Sequence, residues 1–367
     1  MSGPGAPPVP IGIAGLGTAF PEGVLTAREL GERAGIPEKV VLEKIGLREK
    51  RVGGPDDHPS DLAARAARDA QSDAGRRLGE EVSPESVDAV IYFGSPHKDY
   101  PVWMAAPRIQ DLLGATNAFA FEVAAVSAGA PFVLRVAADM MVADPKLRTV
   151  VVAGASREAS LLDYSDRKAR FMFNFGDGAA AAVLRRGRAR NVILGSSFRT
   201  DGSFSEHVRV PAGGTRMPAS EETVRAGRHS LTVHDLETMK ARLDPVSLER
   251  FAGVARNALD RSGYGPDDLD FLATLHTKRS IFDAVLGELG LGEEQSVHLD
   301  RYGHMSAVDP LVALKEGEEG GRLRDGMMAL ALSAGTGYTW AATALRWGPA
   351  VWRGEERRWG PAPEVGT

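Results

Sequence analysis

The chain of 367 residues carries 44 Lys and Arg against 49 Asp and Glu, a formal net charge of −5, which excludes the basic footprint of a nucleic-acid-binding surface. It contains no cysteine, so disulfides, thiolate metal ligands and thiol nucleophiles are excluded, and any covalent catalysis must use another atom. Hydrophobic residues at 43% and charged residues at 25% are ordinary for a globular protein, and the length calls for two packed halves or one large layered domain.

The start, "MSGPGAPPVP", lacks a basic segment followed by an apolar one, and no apolar run approaches bilayer length. A cytoplasmic protein without a membrane span is therefore expected. The first ten residues and the tail from Gly348 are rich in Pro and Gly and are expected to be mobile, with Trp352 and Trp359 as candidate docking points in the tail. "IGIAGLG" (Ile11–Gly17) resembles a dinucleotide fingerprint at first sight. Its glycines at 12, 15 and 17 run in the reverse of the required spacing, and no nucleotide site is expected there.

"SDLAARAARDAQSDAG" (Ser60–Gly75) predicts a helix with Ser60 as N-cap and Gly75 as stop. Short apolar, non-alternating runs follow at 88–94, 148–156, 178–186, 270–276 and 326–337. They predict strands buried on both faces, hence an α/β fold. Between the first two, "AFAFEVAAVSAGAPFVLRVAADMM" (Ala118–Met141) begins as a strand and ends as a helix, with Ser127 at the join. "FGDGA" (Phe175–Ala179) reads as a tight turn needing positive φ, and "RRGRAR" (Arg185–Arg190) as a solvated turn. His229 and His234 are five apart and share a face of neither helix nor strand, so no metal site is expected.

Segment 61–97 and segment 248–276 both read helix, acidic loop, strand. Later in each stretch an apolar strand leads through a Gly-rich turn to a small-residue strand. This weak repeat implies a duplicated fold, divided as 1–187, 188–349 and a tail, 350–367. His276 closes one of the predicted strands and His304 sits in "LDRYGHMSAVDP" before a helix. With Ser127 they offer a nucleophile, a base and an oxyanion donor.

In order and spacing, from about Ile11 to Trp347, the sequence resembles the β-ketoacyl-acyl-carrier-protein synthase III family of thiolase-fold condensing enzymes. The matching pieces include "GLREKRV" (Gly46–Val52), "GSPHKDYPVWMAAPRIQDLLG" (Gly94–Gly114), "AFEVAAVSAGAPFVL" (Ala120–Leu134), "FGDGAAAAVL" (Phe175–Leu184), "LATLHTKRS" (Leu272–Ser280), "DRYGHMSA" (Asp300–Ala307) and "SAGTGYTWA" (Ser333–Ala341). The resemblance implies a thiolase-like αβαβα five-layer sandwich of two duplicated halves, working as a homodimer. It places the family's nucleophilic cysteine at Ser127, its histidine at His276 and its asparagine at His304. It also places an oxyanion hole at the backbone N–H groups of Ser127 and Gly337, and an acyl-pocket loop reaching across the dimer at Tyr100 and Trp103. The coenzyme A grip of the family falls on Val40 and Lys44, which lose stacking and weaken the cation, so an acyl-carrier-protein donor is favoured over acyl-CoA.

The activity implied is acyl transfer from a carrier-protein or CoA thioester, through an acyl-serine, to an alcohol or amine acceptor, or starter-unit priming in polyketide or other specialised metabolism. No cofactor beyond that thioester is implied, and neither nucleic acid nor membrane is a partner. The alternatives are decarboxylative Claisen condensation, a catalytically silent partner subunit, and thioester hydrolysis. Of the two histidines, His276 is expected to take the serine proton during loading and His304 to act as the donor in the second transfer.

Overall fold

The computed structural model describes residues 9–353 and 358–361, with side chains described up to 350. The expectations for residues 1–8 lie outside it, and Trp352 and Trp359 pair with each other across two antiparallel strands, their side chains lying outside the described ones. Nine strands and six helices carry the site. In chain order they are β1 (Ile11–Ala19), α1 (Pro59–Leu78), β2 (Ala89–Tyr92), α2 (Ala105–Leu113), β3 (Phe119–Glu122), α3 (Gly129–Ala143), β4 (Thr149–Ser156) and β5 (Gly178–Arg186). There follow β6 (Arg190–Thr200), α4 (Leu236–Arg261), β7 (Phe271–Thr274), α5 (Arg279–Glu288), α6 (Asp309–Glu319), β8 (Met328–Gly335) and β9 (Thr339–Arg353).

The strands run β3-β2-β4-β5-β1 and then β6-β9-β8-β7. Among the described residues the two groups pair only at Gly12 and Val192, between β1 and β6. Within each group the pairing pattern is the same. The first strand is antiparallel to the last, which is antiparallel to the next, which is parallel to the one beyond. The parallel β2–β3 pair has its counterpart in a single parallel bridge between Leu272 and Ser296. On this pattern we propose that 1–187 and 188–349 are the two halves of the fold, with the turn at Gly187 (φ 81°) between them.

Helices α3 and α6 pack against each other and against both strand groups, α1 and α2 cover the outer face of the first group, and α4 and α5 cover that of the second. The result is a thiolase-like α/β sandwich of five layers. The central core draws Ile13, Phe93, Leu134, Met141, Phe271, Leu311 and Trp347 from both groups. Segment Val126–Ala143 has the length and apolarity of a membrane span, and 56% of it is buried inside the fold, with Leu134, Ala137 and Met141 in the central core.

Every apolar run read as a strand forms one, because each is covered on both faces. Three local details differ from the reading. Helix α1 starts at Pro59 after His58, without a side-chain cap, and stops at Gly79 (φ 71°) rather than Gly75. Ser60 lies in the first turn with its hydroxyl on Asp99, 2.6 Å away, and the extra turn is held by Arg77 between Asp73 and Glu318. In "FGDGA" the glycines do not need positive φ; a Cβ on Gly178 would lie 2.6 Å from the Met305 sulfur, and one on Gly176 would strike the Tyr302 carbonyl. The glycines of "IGIAGLG" serve packing too. Gly15 and Gly17 face the backbone of α1 at Ala66, Ala70 and Ala74, so the alanine face of α1 seats directly on β1.

Candidate active site

Two tight turns, one from each strand group, meet at the centre of the sandwich. The chain leaves β3, makes a 3₁₀ turn at Val126–Ala128 and enters α3; likewise a 3₁₀ turn at Ser306–Val308 leads into α6. Each turn opens on a non-glycine residue with positive φ, Val126 at 47° and Ser306 at 58°. Such a backbone costs on the order of 1–3 kcal/mol and persists only where packing over-determines it. At Val126 the packing comes from β8. The Ser333 hydroxyl donates to the Ser127 carbonyl at 2.6 Å, and a Cβ on Gly335 would lie 2.7 Å from Ala125 O and 3.1 Å from Ser127 N.

The construction holds Ser127 at 6% exposure, its backbone N–H at the start of a turn and helix, where negative charge is stabilised. The Ser127 hydroxyl lies 2.9 Å from His304 Nε2. His304 Nδ1 lies 2.6 Å from Asp309 Oδ2. Asp309 is fully buried in the first turn of α6, where the helix end favours a carboxylate. It also accepts the backbone N–H groups of His276 (2.8 Å, Oδ2) and Met305 (2.7 Å, Oδ1). The imidazole is further fixed by its own backbone N–H on Asn174 O (2.8 Å) and by the edge of Phe175, ring centroids 4.9 Å apart. Burial alone would depress the His304 pKa. The Asp309 carboxylate, through charge and hydrogen bond, and Glu158 beyond it outweigh that and raise it above the ordinary histidine value. With Nδ1–H given to the carboxylate, Nε2 is left as an acceptor facing the serine.

His276 sits differently. Its Nδ1 is 2.9 Å from the Asn174 amide nitrogen and its Nε2 is 3.2 Å from Gly46 O. An amide N–H donating to Nδ1 leaves Nε2 protonated, donating to Gly46 O. Burial, then His298, His304 and Lys50, hold its pKa well below the usual value, only partly countered by the Gly46 carbonyl. The structure thus places His304, rather than His276, on the Ser127 hydroxyl. Asn174 Oδ1 is buried without a hydrogen-bond partner among the described residues.

Of the other expected site residues, Gly337 (φ 142°) lies in the turn between β8 and β9, and it is Gly335 that abuts the Ser127 backbone. Lys44 is exposed in a short π-helical turn, Val41–Ile45, beside the 38%-exposed Val40. Tyr100, 66% exposed, and Trp103 meet edge to face at 5.6 Å. Their loop is anchored by Lys98, which bonds Trp103 O at 2.8 Å and Glu122 at 2.6 Å. Two residues of the centre escaped the sequence reading: Asp309, whose signal was an aspartate before proline at a predicted helix start five residues past His304, and Asn174, which carried none.

Comparison with known proteins gives the family of the chain. Residues 121–202 match the family model for 3-oxoacyl-[acyl-carrier-protein] synthase III, and residues 259–347 match the model for its C-terminal part. The β-ketoacyl-[acyl-carrier-protein] synthase III of Symbiobacterium thermophilum is 34% identical over 340 residues, 92% of this chain and 98% of that protein. The chain belongs to the β-ketoacyl-[acyl-carrier-protein] synthase III family. The crystal structure of the 3-oxoacyl-(acyl carrier protein) synthase III of Pseudomonas aeruginosa superposes with a TM-score of 0.79 at 27% identity, covering 93% of this chain and 99% of that one. The priming β-ketosynthase of the R1128 polyketide pathway gives 0.79 at 24% identity, over 95% and 99% of the two chains, a likeness of fold. This synthase III relative, lacking cysteine altogether, has at its polar centre a serine hydroxyl on an imidazole that is itself held by a buried aspartate.

Proposed function

We propose that the protein is a cytoplasmic acyltransferase of the synthase III family that carries its acyl group as an ester on Ser127. The observation that supports this most is the continuous chain from the Ser127 hydroxyl to His304 Nε2 (2.9 Å) and from His304 Nδ1 to Asp309 (2.6 Å). A hydroxyl, unlike a thiol, needs a neighbouring base to become a nucleophile, and this arrangement supplies one already in the accepting tautomer.

In loading, Ser127 Oγ attacks the thioester carbonyl while His304 Nε2 takes its proton; the Asp309 carboxylate stabilises the imidazolium. The tetrahedral oxyanion is met by the Ser127 N–H and by the glycine-rich turn after β8, for which Gly337 remains the candidate donor. Collapse breaks the C–S bond, and the departing thiolate takes the proton from His304. The product is an oxygen ester, less activated than the thioester, so loading runs downhill. In the second half an acceptor alcohol or amine gives its proton to His304 and attacks the ester carbonyl. Ser127 leaves and recovers its proton from the same ring. His276, neutral with its Nε2–H on Gly46 O, is not the base; it serves as a donor where an oxygen of the bound acyl or acceptor group takes the place of the Gly46 carbonyl. The roles expected of the two histidines are thereby exchanged.

A carrier-protein donor fits the exposed Val40 and Lys44, which offer no aromatic surface for a nucleotide. A homodimer fits the outer edge of β3, beside which Phe119, Tyr100, Val102 and Met104 are all exposed. Exposed apolar side chains near an open sheet edge invite a second copy. A neutral His276 whose Nε2–H turns from Gly46 O to a substrate carbonyl also suits decarboxylative condensation. Carbon dioxide release from a malonyl-carrier protein by the acylated enzyme separates the two. No release, with an ester or amide formed on an added alcohol or amine, supports acyl transfer; release coupled to a β-ketoacyl product assigns condensation instead.

A further inference from the structure

A second polar branch meets Ser127 from the side of β4. The Ser306 hydroxyl lies 3.3 Å from the Ser127 hydroxyl and 3.4 Å from Glu158 Oε1. The same carboxylate oxygen accepts from Ser95 Oγ at 2.7 Å, and Oε2 lies 3.4 Å from Ser156 Oγ. Glu158 is 5% exposed, Ser95, Ser156 and Ser306 are fully buried, and the acyl-transfer reading given above leaves all four unused.

Burying a carboxyl group is costly unless it gains a partner charge. Glu158 takes part in none of the ion pairs found among the described residues. Burial raises its pKa, the serine hydroxyls and His304 act against that, and Asp177 adds to it. Asp177 is itself committed to Arg157 at 3.1 Å and to the backbone N–H groups of Gly53 and Ala159. The hydroxyls of Ser306 and Ser127 lead from Glu158 to His304 Nε2, the ring that gains a positive charge when it takes the serine proton. Ser306, which joins Glu158 to the Ser127 hydroxyl, is the residue held at φ 58°, a strained backbone of the kind that collects at functional sites. Its contacts are longer than an ordinary hydroxyl hydrogen bond, so they govern orientation more than they add bond energy.

We propose that Glu158 and Ser306 are positioning residues of the acyl-transfer centre: Ser306 keeps the Ser127 hydroxyl turned to His304, and Glu158 is a second carboxylate stabilising the imidazolium formed during loading. The inference rests on the reading of Ser127 as nucleophile and His304 as base. The charged and titratable groups facing His304 are Asp309 from α6, Glu158 from the turn after β4, and His276 from the end of β7, with Lys50 beyond His276. Of these, Asp309 and Glu158 favour the protonated ring. Taking away the Glu158 charge must therefore let His304 lose its proton at lower pH.

The test is the rate of Ser127 phosphonylation by an alkyl fluorophosphonate, followed across the range in which histidine titrates. In this reaction Oγ bonds to phosphorus, fluoride leaves, and His304 accepts the proton, so no acyl donor need be known. For the wild type the rate rises with pH as His304 becomes neutral. Glu158→Gln is expected to move that midpoint to lower pH by about one unit, the low end of what a neighbouring charge does, and to lower the plateau roughly tenfold. Glu158→Asp returns the midpoint toward wild type. Ser306→Ala lowers the plateau and leaves the midpoint in place, and it tests the branch independently should Glu158→Gln fail to fold. A folded Glu158→Gln with the wild-type midpoint overturns the role of Glu158; a Ser306→Ala plateau equal to wild type overturns that of Ser306. A wild-type protein that the probe does not label at Ser127 refutes the nucleophile reading itself, and this inference with it.

Discussion

Replacing Asp309 by asparagine changes one atom and removes one charge at the point where the centre is most tightly tied. The carboxylate accepts three donors: His304 Nδ1 at 2.6 Å and the His276 N–H at 2.8 Å on one oxygen, and the Met305 N–H at 2.7 Å on the other. An amide cannot accept on both sides. If its NH₂ faces Met305, two donors oppose each other. If it faces His304, it forces the ring into the tautomer with Nε2 protonated, which cannot take the Ser127 proton. Where an aspartate in this role becomes asparagine, the rate falls by about 10⁴, equivalent to about 5.4 kcal/mol of transition-state stabilisation. The lost charge-assisted hydrogen bonds cost roughly 1.5–3 kcal/mol each in folding stability, so thermal unfolding accompanies the kinetics. Asp309 also holds the His304 pKa above its ordinary value; any residual activity of Asp309→Asn therefore follows a pH limb moved to lower pH. The assay is single-turnover loading of Ser127 from an acyl thioester, read by intact mass. A folded Asp309→Asn protein that loads within tenfold of wild type refutes the assignment of His304 as base.

His304→Ala is expected to abolish loading, whereas His276→Ala leaves loading within about tenfold and slows the second transfer by about a hundredfold, the effect of losing one fixed donor; single-turnover traces of the two steps separate them. Gly335→Ala inserts a Cβ 2.7 Å from Ala125 O and 3.1 Å from Ser127 N. Since backbone faces backbone there, the nucleophile turn must shift, with a rate loss of about a hundredfold for a displacement near 1 Å and a lowered melting temperature. With Val40 and Lys44 at the surface, kcat/KM for an acyl-carrier-protein donor is expected to exceed that for the matching acyl-CoA; equal values remove the argument from those two positions.

How far the sequence carried depended on the range of the interaction concerned. Strands such as 149–156 and 178–186 are legible because burial on both faces demands an uninterrupted apolar run, and the joint at Ser127 is legible because strand pattern gives way to helix pattern there. The stop of α1 was misplaced by four residues, since the Arg77–Glu318 pair that extends it joins positions far apart in the chain. The partnership at the centre is long-range throughout: Ser127 and His304 are 177 residues apart and are brought together by two turns meeting between the sheets. Which histidine took the serine could not follow from either local sequence. It follows from Asn174 and Gly46 occupying both nitrogens of His276 and from the fold of Ser306–Val308, which returns Asp309 to His304. Glu158 was invisible for the same reason, as its serine partners lie at 95, 156 and 306.

The account stands or falls on an acyl ester at Ser127. Incubating the full-length protein with a panel of acyl-carrier-protein and acyl-CoA thioesters, followed by intact mass and peptide mapping, reads it directly. The account predicts a single acyl adduct on the peptide containing Ser127, absent from a folded Ser127→Ala protein that also lacks transfer activity. The same adduct on Ser127→Ala, or turnover by that variant at the wild-type rate, would contradict it.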